Sequence, residues 1–217
     1  MRQPAPSEPQ RPPFTPRCLA AAGLAWAALG AGPALATSLD VAVADGQGRP
    51  LPGAVVFLES REARALAKPL GLVEVEQADR QFNPRVTVVT VGTAVSFPNR
   101  DKVRHHVYSF SPTKTFELKL YIGTPANPVV FDKPGIAALG CNIHDHMSAW
   151  VVVVETPFHG STGAQGRVRL DNLPPGTYRL RSWHPDLPPG APALDQALTL
   201  PASGAAVNLR LAGVGGR

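Results

Sequence analysis

Gly140-Cys141-Asn142-Ile143-His144-Asp145-His146-Met147, followed after Ser148 by Ala149-Trp150-Val151-Val152-Val153-Val154-Glu155, is the stretch on which the fold of this chain turns. The second part is almost unbroken valine, the composition of a strand buried on both faces. Ile136–Leu139 on the other side also has strand character, so the octet between them is a loop joining two strands. Within that octet stand a thiol, two imidazoles and a thioether.

Working outward, further strand signals occur at Val86–Val91, Ala94–Phe97, His106–Phe110 and Phe116–Tyr121, separated by Gly, Pro and Asn. Their short, even spacing predicts a β-sandwich over residues 72–156. The flanks read as strands too. Residues 38–59 alternate, turn through Asp45-Gly46-Gln47-Gly48 and resume at Gly53, which predicts a hairpin-like pair. Ser60–Lys68 reads as a loop or one helical turn. Residues 157–212 alternate again, and 213–217 are expected to fray. With 24 Pro and 20 Gly spread among Val, Leu and Thr, the predicted class is all-β.

The first 36 residues stand apart. Arg2, Arg11 and Arg17 precede an uncharged run from Cys18 that ends in Ala34-Leu35-Ala36, the order of a secretory signal peptide with cleavage after Ala36. Periplasmic or secreted location follows as an expectation, with no membrane-integral part after cleavage. Three of the 21 basic and one of the 16 acidic side chains lie in this segment, so the remainder carries a net charge of +3 with histidines neutral. That balance excludes a nucleic-acid binder by composition. The remainder also keeps a single thiol, Cys141, and an oxidising compartment leaves few idle thiols unpaired.

Four of the six histidines fall in two segments, 99–107 and 140–147. Cys141, His144 and Met147 are spaced so that one loop can direct all three at a centre. His105, 36 residues before Cys141, can complete a Cys-His-His set with a long axial Met. Thiolate, imidazole and thioether donors together select copper over the hard, oxygen-loving cations. Zinc competes for Cys-His-His sets but rarely takes a thioether. His106 is an alternative first ligand and His146 a secondary candidate. A lone buried Cys is ordinarily a small hydrophobe and Met an ordinary gap-filler; the clustering weighs against both here.

The middle block resembles the cupredoxins, and its C-x-x-H-x-x-M loop is similar to that of amicyanin in the plastocyanin group. Phe82-Asn83-Pro84-Arg85-Val86-Thr87-Val88, Val91-Gly92-Thr93-Ala94-Val95-Ser96-Phe97 and Asn99 match the family's approach to its first histidine. The chain as a whole is similar to methylamine-utilisation-type periplasmic plastocyanin-like proteins. The resemblance implies a Greek-key β-sandwich holding one type-1 (blue) copper ion, Cu(I)/Cu(II), through His105, Cys141, His144 and Met147. It implies a one-electron carrier with His144 as the electron port. The family's Pro and Asn around the first ligand are Arg104 and His106 here, and Asp145 and His146 replace a Pro and an aromatic residue.

Asp45-Gly-Gln-Gly-Arg-Pro-Leu-Pro-Gly-Ala54 and Leu173-Pro-Pro-Gly-Thr-Tyr178 resemble the two ends of a carboxypeptidase regulatory-like, transthyretin-like sandwich. The expected arrangement is therefore a cupredoxin sandwich (72–156) inserted into a second small sandwich (38–60 plus 157–212). Arg100, Lys102 and Arg104 form a basic run suited to an acidic redox protein such as a cytochrome. A periplasmic copper chaperone or store, and a metal-free adhesion or carbohydrate-binding module, are the alternative functions. No acid/base pair or activated nucleophile stands out, so no enzyme activity is expected.

Overall fold

The computed structural model describes residues 36–215. The segment expected to be a signal peptide, residues 1–36 with Cys18, lies outside them but for Ala36. In chain order the strands are β1 Thr37–Asp45, β2 Val55–Glu59, β3 Val73–Glu74, β4 Glu76–Ala78, β5 Gln81–Asn83, β6 Val86–Thr90, β7 Thr93–Ser96, β8 His105–Ser111 and β9 Lys114–Tyr121. They continue as β10 Val129–Phe131, β11 Gly135–Gly140, β12 Ser148–Val154, β13 His159–Ser161, β14 Arg167–Leu173, β15 Gly176–Trp183, β16 Leu194–Leu200 and β17 Ala205–Leu211. One short helix, α1 Arg61–Leu66, is capped by the Ser60 hydroxyl accepting from the Ala63 N–H at 3.0 Å. The described chain is all-β, as its composition predicts.

The middle strands form a five-stranded sheet, β6-β12-β11-β8-β9, facing a three-stranded one, β10-β7-β3. Between them lies a core that includes Val89, Val95, Phe97, Val107, Phe131, Val151 and Val153, with Cys141 and Met147 at one end. The strand β12 is central and buried on both faces, as its valine run predicts. Val151 and Val153 enter this core, whereas Val152 and Val154 join Val55, Phe57 and Trp183 in a second cluster on the opposite face. All four valines are at most 3% exposed, and each contributes roughly 1.5–3 kcal/mol by leaving water. Five short strands, β3, β4, β5, β10 and β13, escape sequence reading because two or three residues show no periodicity.

The flanking strands make two further sheets, β14-β1-β17 and β13-β2-β15-β16, closing on Leu39, Val41, Val43, Leu58, Leu180 and Leu200. The chain leaves these sheets after β2 and rejoins them at β13, through the pairs His159↔Phe57 and Leu170↔Leu39. The hairpin expected over residues 38–59 does not form. Strands β1 and β2 lie in different sheets, and only the bridge Ala44↔Pro50 links their ends. Both edges of β1 are taken by β14 and β17, and Pro50 and Pro52 have no N–H to extend a ladder. Nor do residues 213–215 fray: Val214 is buried and its carbonyl accepts the Gly46 N–H at 2.9 Å.

Candidate metal centre

The two histidine-bearing segments meet at one end of the sandwich formed by the middle strands. Strand β8 begins at His105 and β11 ends at Gly140, and the register pair Gly140↔Tyr108 holds them side by side. Gly140 is required by that approach: a Cβ there would lie 2.6 Å from the Tyr108 ring. His105, Cys141 and His144 come together, with one donor atom of each within 4.8 Å of the others. The two imidazoles sit edge to face with centroids 5.1 Å apart.

The environment of these donors is what a metal ion needs. His105 and Cys141 are buried, and the Nδ1 atoms of His105 and His144 are both shielded from water with no hydrogen-bond partner. Leaving such atoms unpaired costs about 1–3 kcal/mol each, a cost that a bound metal ion would remove. Ligand bonds of about 2.0–2.3 Å place donors up to roughly 4 Å apart, so a small closure completes the group around one ion. Met147 is buried in the same core as Cys141, and its N–H donates to the His144 carbonyl at 2.9 Å, closing the loop.

His106 goes elsewhere. Its Nε2 lies 2.9 Å from Glu117 Oε1, close enough for an ion pair but out of line for a hydrogen bond, and its ring sits 5.5 Å from that of Tyr108. His146 is exposed, with its centroid 6.0 Å from that of His144, and is not in the three-residue group.

The loop before His105 is organised by Asn99, which is 4% exposed. Its Nδ2 donates to the carbonyls of Val103 (2.9 Å) and Tyr121 (2.8 Å), and its Oδ1 accepts the Asp101 N–H at 2.9 Å. Asp101 then faces His105, Oδ2 to Nε2 at 2.7 Å. The same carboxylate accepts the N–H groups of Asp79 (2.9 Å) and Arg80 (3.0 Å), the two-residue turn joining β4 to β5. Both turn residues have positive φ, 52° and 57°, as a primed hairpin turn requires. Non-glycine residues there carry about 1–3 kcal/mol of strain each, a cost that charge-assisted hydrogen bonds of about 1.5–3 kcal/mol offset.

Burial works against ionisation of Asp101, but the Arg80 N–H, the His105 ring and the Asp79 N–H outweigh it and hold the carboxyl below its ordinary range. His144 is held below the ordinary histidine value, by desolvation first and then by the nearby His105, Arg80 and His146. It therefore stays neutral and able to donate a lone pair. Behind the cluster, Tyr121 is pushed up to about 12, by burial first and also by the proximity of Cys141, with the hydrogen bond from Gln77 opposing. Its hydroxyl stays protonated and donates to the Phe97 carbonyl at 2.5 Å.

Asp101 is the residue that sequence reasoning missed: in the sequence it is a single acid among Arg100, Lys102 and Arg104. Its signal is the Asp-x-x-x-His spacing to His105, which on a loop means nothing until the turns made by Asn99 are known.

No family model matches the chain, and no curated protein matches it. Among solved structures it is similar to the Cu-containing nitrite reductase NirK from Thermus scotoductus SA-01, with 23% identity and a TM-score of 0.37. That match covers 52% of this chain and 28% of the reductase. It is also similar to a purple cupredoxin from Nitrosopumilus maritimus, with 20% identity and a TM-score of 0.33 over 39% of this chain and 100% of that one. A reduced amicyanin variant matches with 22% identity and a TM-score of 0.36, over 46% of this chain and 98% of its own.

Proposed function

We propose that this chain is an exported type-1 copper protein that carries single electrons, with His105, Cys141, His144 and Met147 as its ligands. The observation that carries this reading is the meeting of a buried thiol with two imidazoles, one donor atom of each within 4.8 Å of the others, while the Nδ1 of each imidazole is buried without a partner. Copper bound there supplies a one-electron Cu(I)/Cu(II) couple. Cys141 contributes a thiolate, and the two histidines contribute neutral Nδ1 atoms, so binding releases protons and weakens in acid. Burial of Cys141 and Met147 keeps water from the sulfur side, and partly exposed His144 is the port for electrons. With Met147 as the fourth ligand, the donor set leaves no open position for a substrate, which favours a carrier over an enzyme.

The flanking sheets are read as a transthyretin-like sandwich into which the copper-binding sandwich is inserted, and residues 1–36 as a cleaved export signal. Arg100, Lys102 and Arg104 are exposed, although Arg100 lies 3.7 and 3.9 Å from Glu74 and Glu76 and is partly neutralised. The free basic charge is that of Lys102 and Arg104, which steers an acidic redox protein such as a cytochrome. Reversing both charges is expected to slow association at low salt; unchanged kinetics would remove the docking proposal.

The deciding experiment loads the purified protein with Cu(II) and looks for an intense blue absorption that disappears in Cys141→Ser. A colourless complex that keeps copper, and hands it as Cu(I) to an acceptor without a reversible potential, would replace the carrier reading with a chaperone.

A further inference from the structure

We infer that Asp101 is a positioning residue: seated on the backbone N–H groups of the Asp79-Arg80 turn, its carboxylate fixes the His105 proton on Nε2 and leaves Nδ1 free to bind the metal. The inference deepens the copper reading and rests on it for its redox consequence, but not for the tautomer.

An ionised carboxylate is an acceptor only. Asp101 is surrounded by donors, with the Asp79 N–H on Oδ1 at 2.9 Å and the Arg80 N–H on Oδ2 at 3.0 Å. The His105 nitrogen 2.7 Å from Oδ2 must therefore be the protonated one, because an unprotonated nitrogen would face the carboxylate lone pair to lone pair. A neutral imidazole carries one proton, so Nδ1 is left bare, and it is this atom that is buried without a partner. The carboxylate cannot turn away, since Asn99 holds the Asp101 backbone and the turn holds both oxygens. The arrangement is thus set before any ion arrives.

The second consequence is electrostatic. A fixed negative charge against one ligand favours the more positive oxidation state of a bound ion, and so favours Cu(II) over Cu(I). The β4–β5 turn, remote from the ligand loops in sequence, becomes a buttress of the centre.

Asp101→Ala and Asp101→Asn separate the two effects. Asparagine keeps an oxygen for the Arg80 N–H and His105 and gives up the charge and the Asp79 bond. Nitrogen-15 NMR of the metal-free wild type is expected to show His105 as the Nε2–H tautomer alone. Asp101→Ala is expected to show a mixture, and Asp101→Asn the wild-type tautomer. With copper, the Cu(II) affinity of Asp101→Ala is expected to fall roughly 10–100-fold. In Asp101→Asn, each tenfold by which Cu(II) binding weakens more than Cu(I) binding raises the potential by about 59 mV. A single Nε2–H tautomer in folded Asp101→Ala would overturn the positioning role, and an unchanged potential in Asp101→Asn would overturn the electrostatic one. A wild type that takes up no Cu(II) would instead sink the copper reading, while the metal-free tautomer comparison still decides the role of Asp101.

Discussion

The two loops that meet at the centre are built on opposite plans. Residues 99–104 are cross-linked: Asn99 spends its whole amide on three backbone groups, and Asp101 binds a turn from another part of the sheet. Residues 142–146 are nearly bare, with Asn142, Ile143, Asp145 and His146 exposed and the single backbone bond from Met147 N–H to the His144 carbonyl. Among the described residues no side-chain hydrogen bond reaches Asn142, Asp145 or His146. One histidine is therefore held by the fold before an ion binds, whereas the other is held by its short loop between two buried anchors, Cys141 and Met147. Under the proposed copper reading, such a pairing would combine a preset half-site with a partly exposed half that adjusts to the ion.

Breaking the rigid side should have the largest effect. Asn99→Ala removes three part-buried hydrogen bonds, each worth about 0.5–1.5 kcal/mol net. The expected loss is about 3 kcal/mol of unfolding free energy in urea, together with weaker metal uptake because Asp101 is set loose. A loss below about 1 kcal/mol would mean that the loop is not organised as described.

A smaller effect is a pH dependence carried by His144. The folded value of His144 is lowered, so the unfolded chain takes up a proton first. Metal-free stability contributed at this site is complete above the ordinary histidine value of about 6.5 and is lost as pH falls through that value toward the folded one. Asp101, also lowered, acts in the same direction in a more acidic window, beginning near the ordinary carboxylate value of 3.8. His159 and His184 are both lowered by burial and titrate in the upper window too. The measurement is therefore a difference: His144→Ala should flatten the slope of stability against pH just below 6.5 and leave the acidic one. An unchanged upper slope would refute it.

The smallest effect is expected on the bare side. Asp145→Ala should change stability by no more than about 0.5 kcal/mol, as for exposed residues without partners. A larger loss in thermal unfolding would show that the second loop is more organised than its contacts indicate, and would erase the contrast.

Much of this was legible before any coordinates. Donor chemistry is local, and Cys141 and His144, which the structure brings together, share one short loop with Met147, so their proximity follows from spacing. The valines of β12 announced a strand with two buried faces, and alternation elsewhere announced an all-β chain. Sequence also limits the histidine pair, because adjacent strand residues point to opposite faces and only one of His105 and His106 can turn inward. Which of them does so is a matter of register, and the pairing of β8 with β9 is irregular between His105 and Val107. The same holds for Asp101, whose role depends on a turn some twenty residues away, and for β1 and β2, which look like a hairpin yet join different sheets. Composition and period are properties of a segment, whereas partnership between distant segments is chosen by the folded chain as it satisfies its buried polar groups.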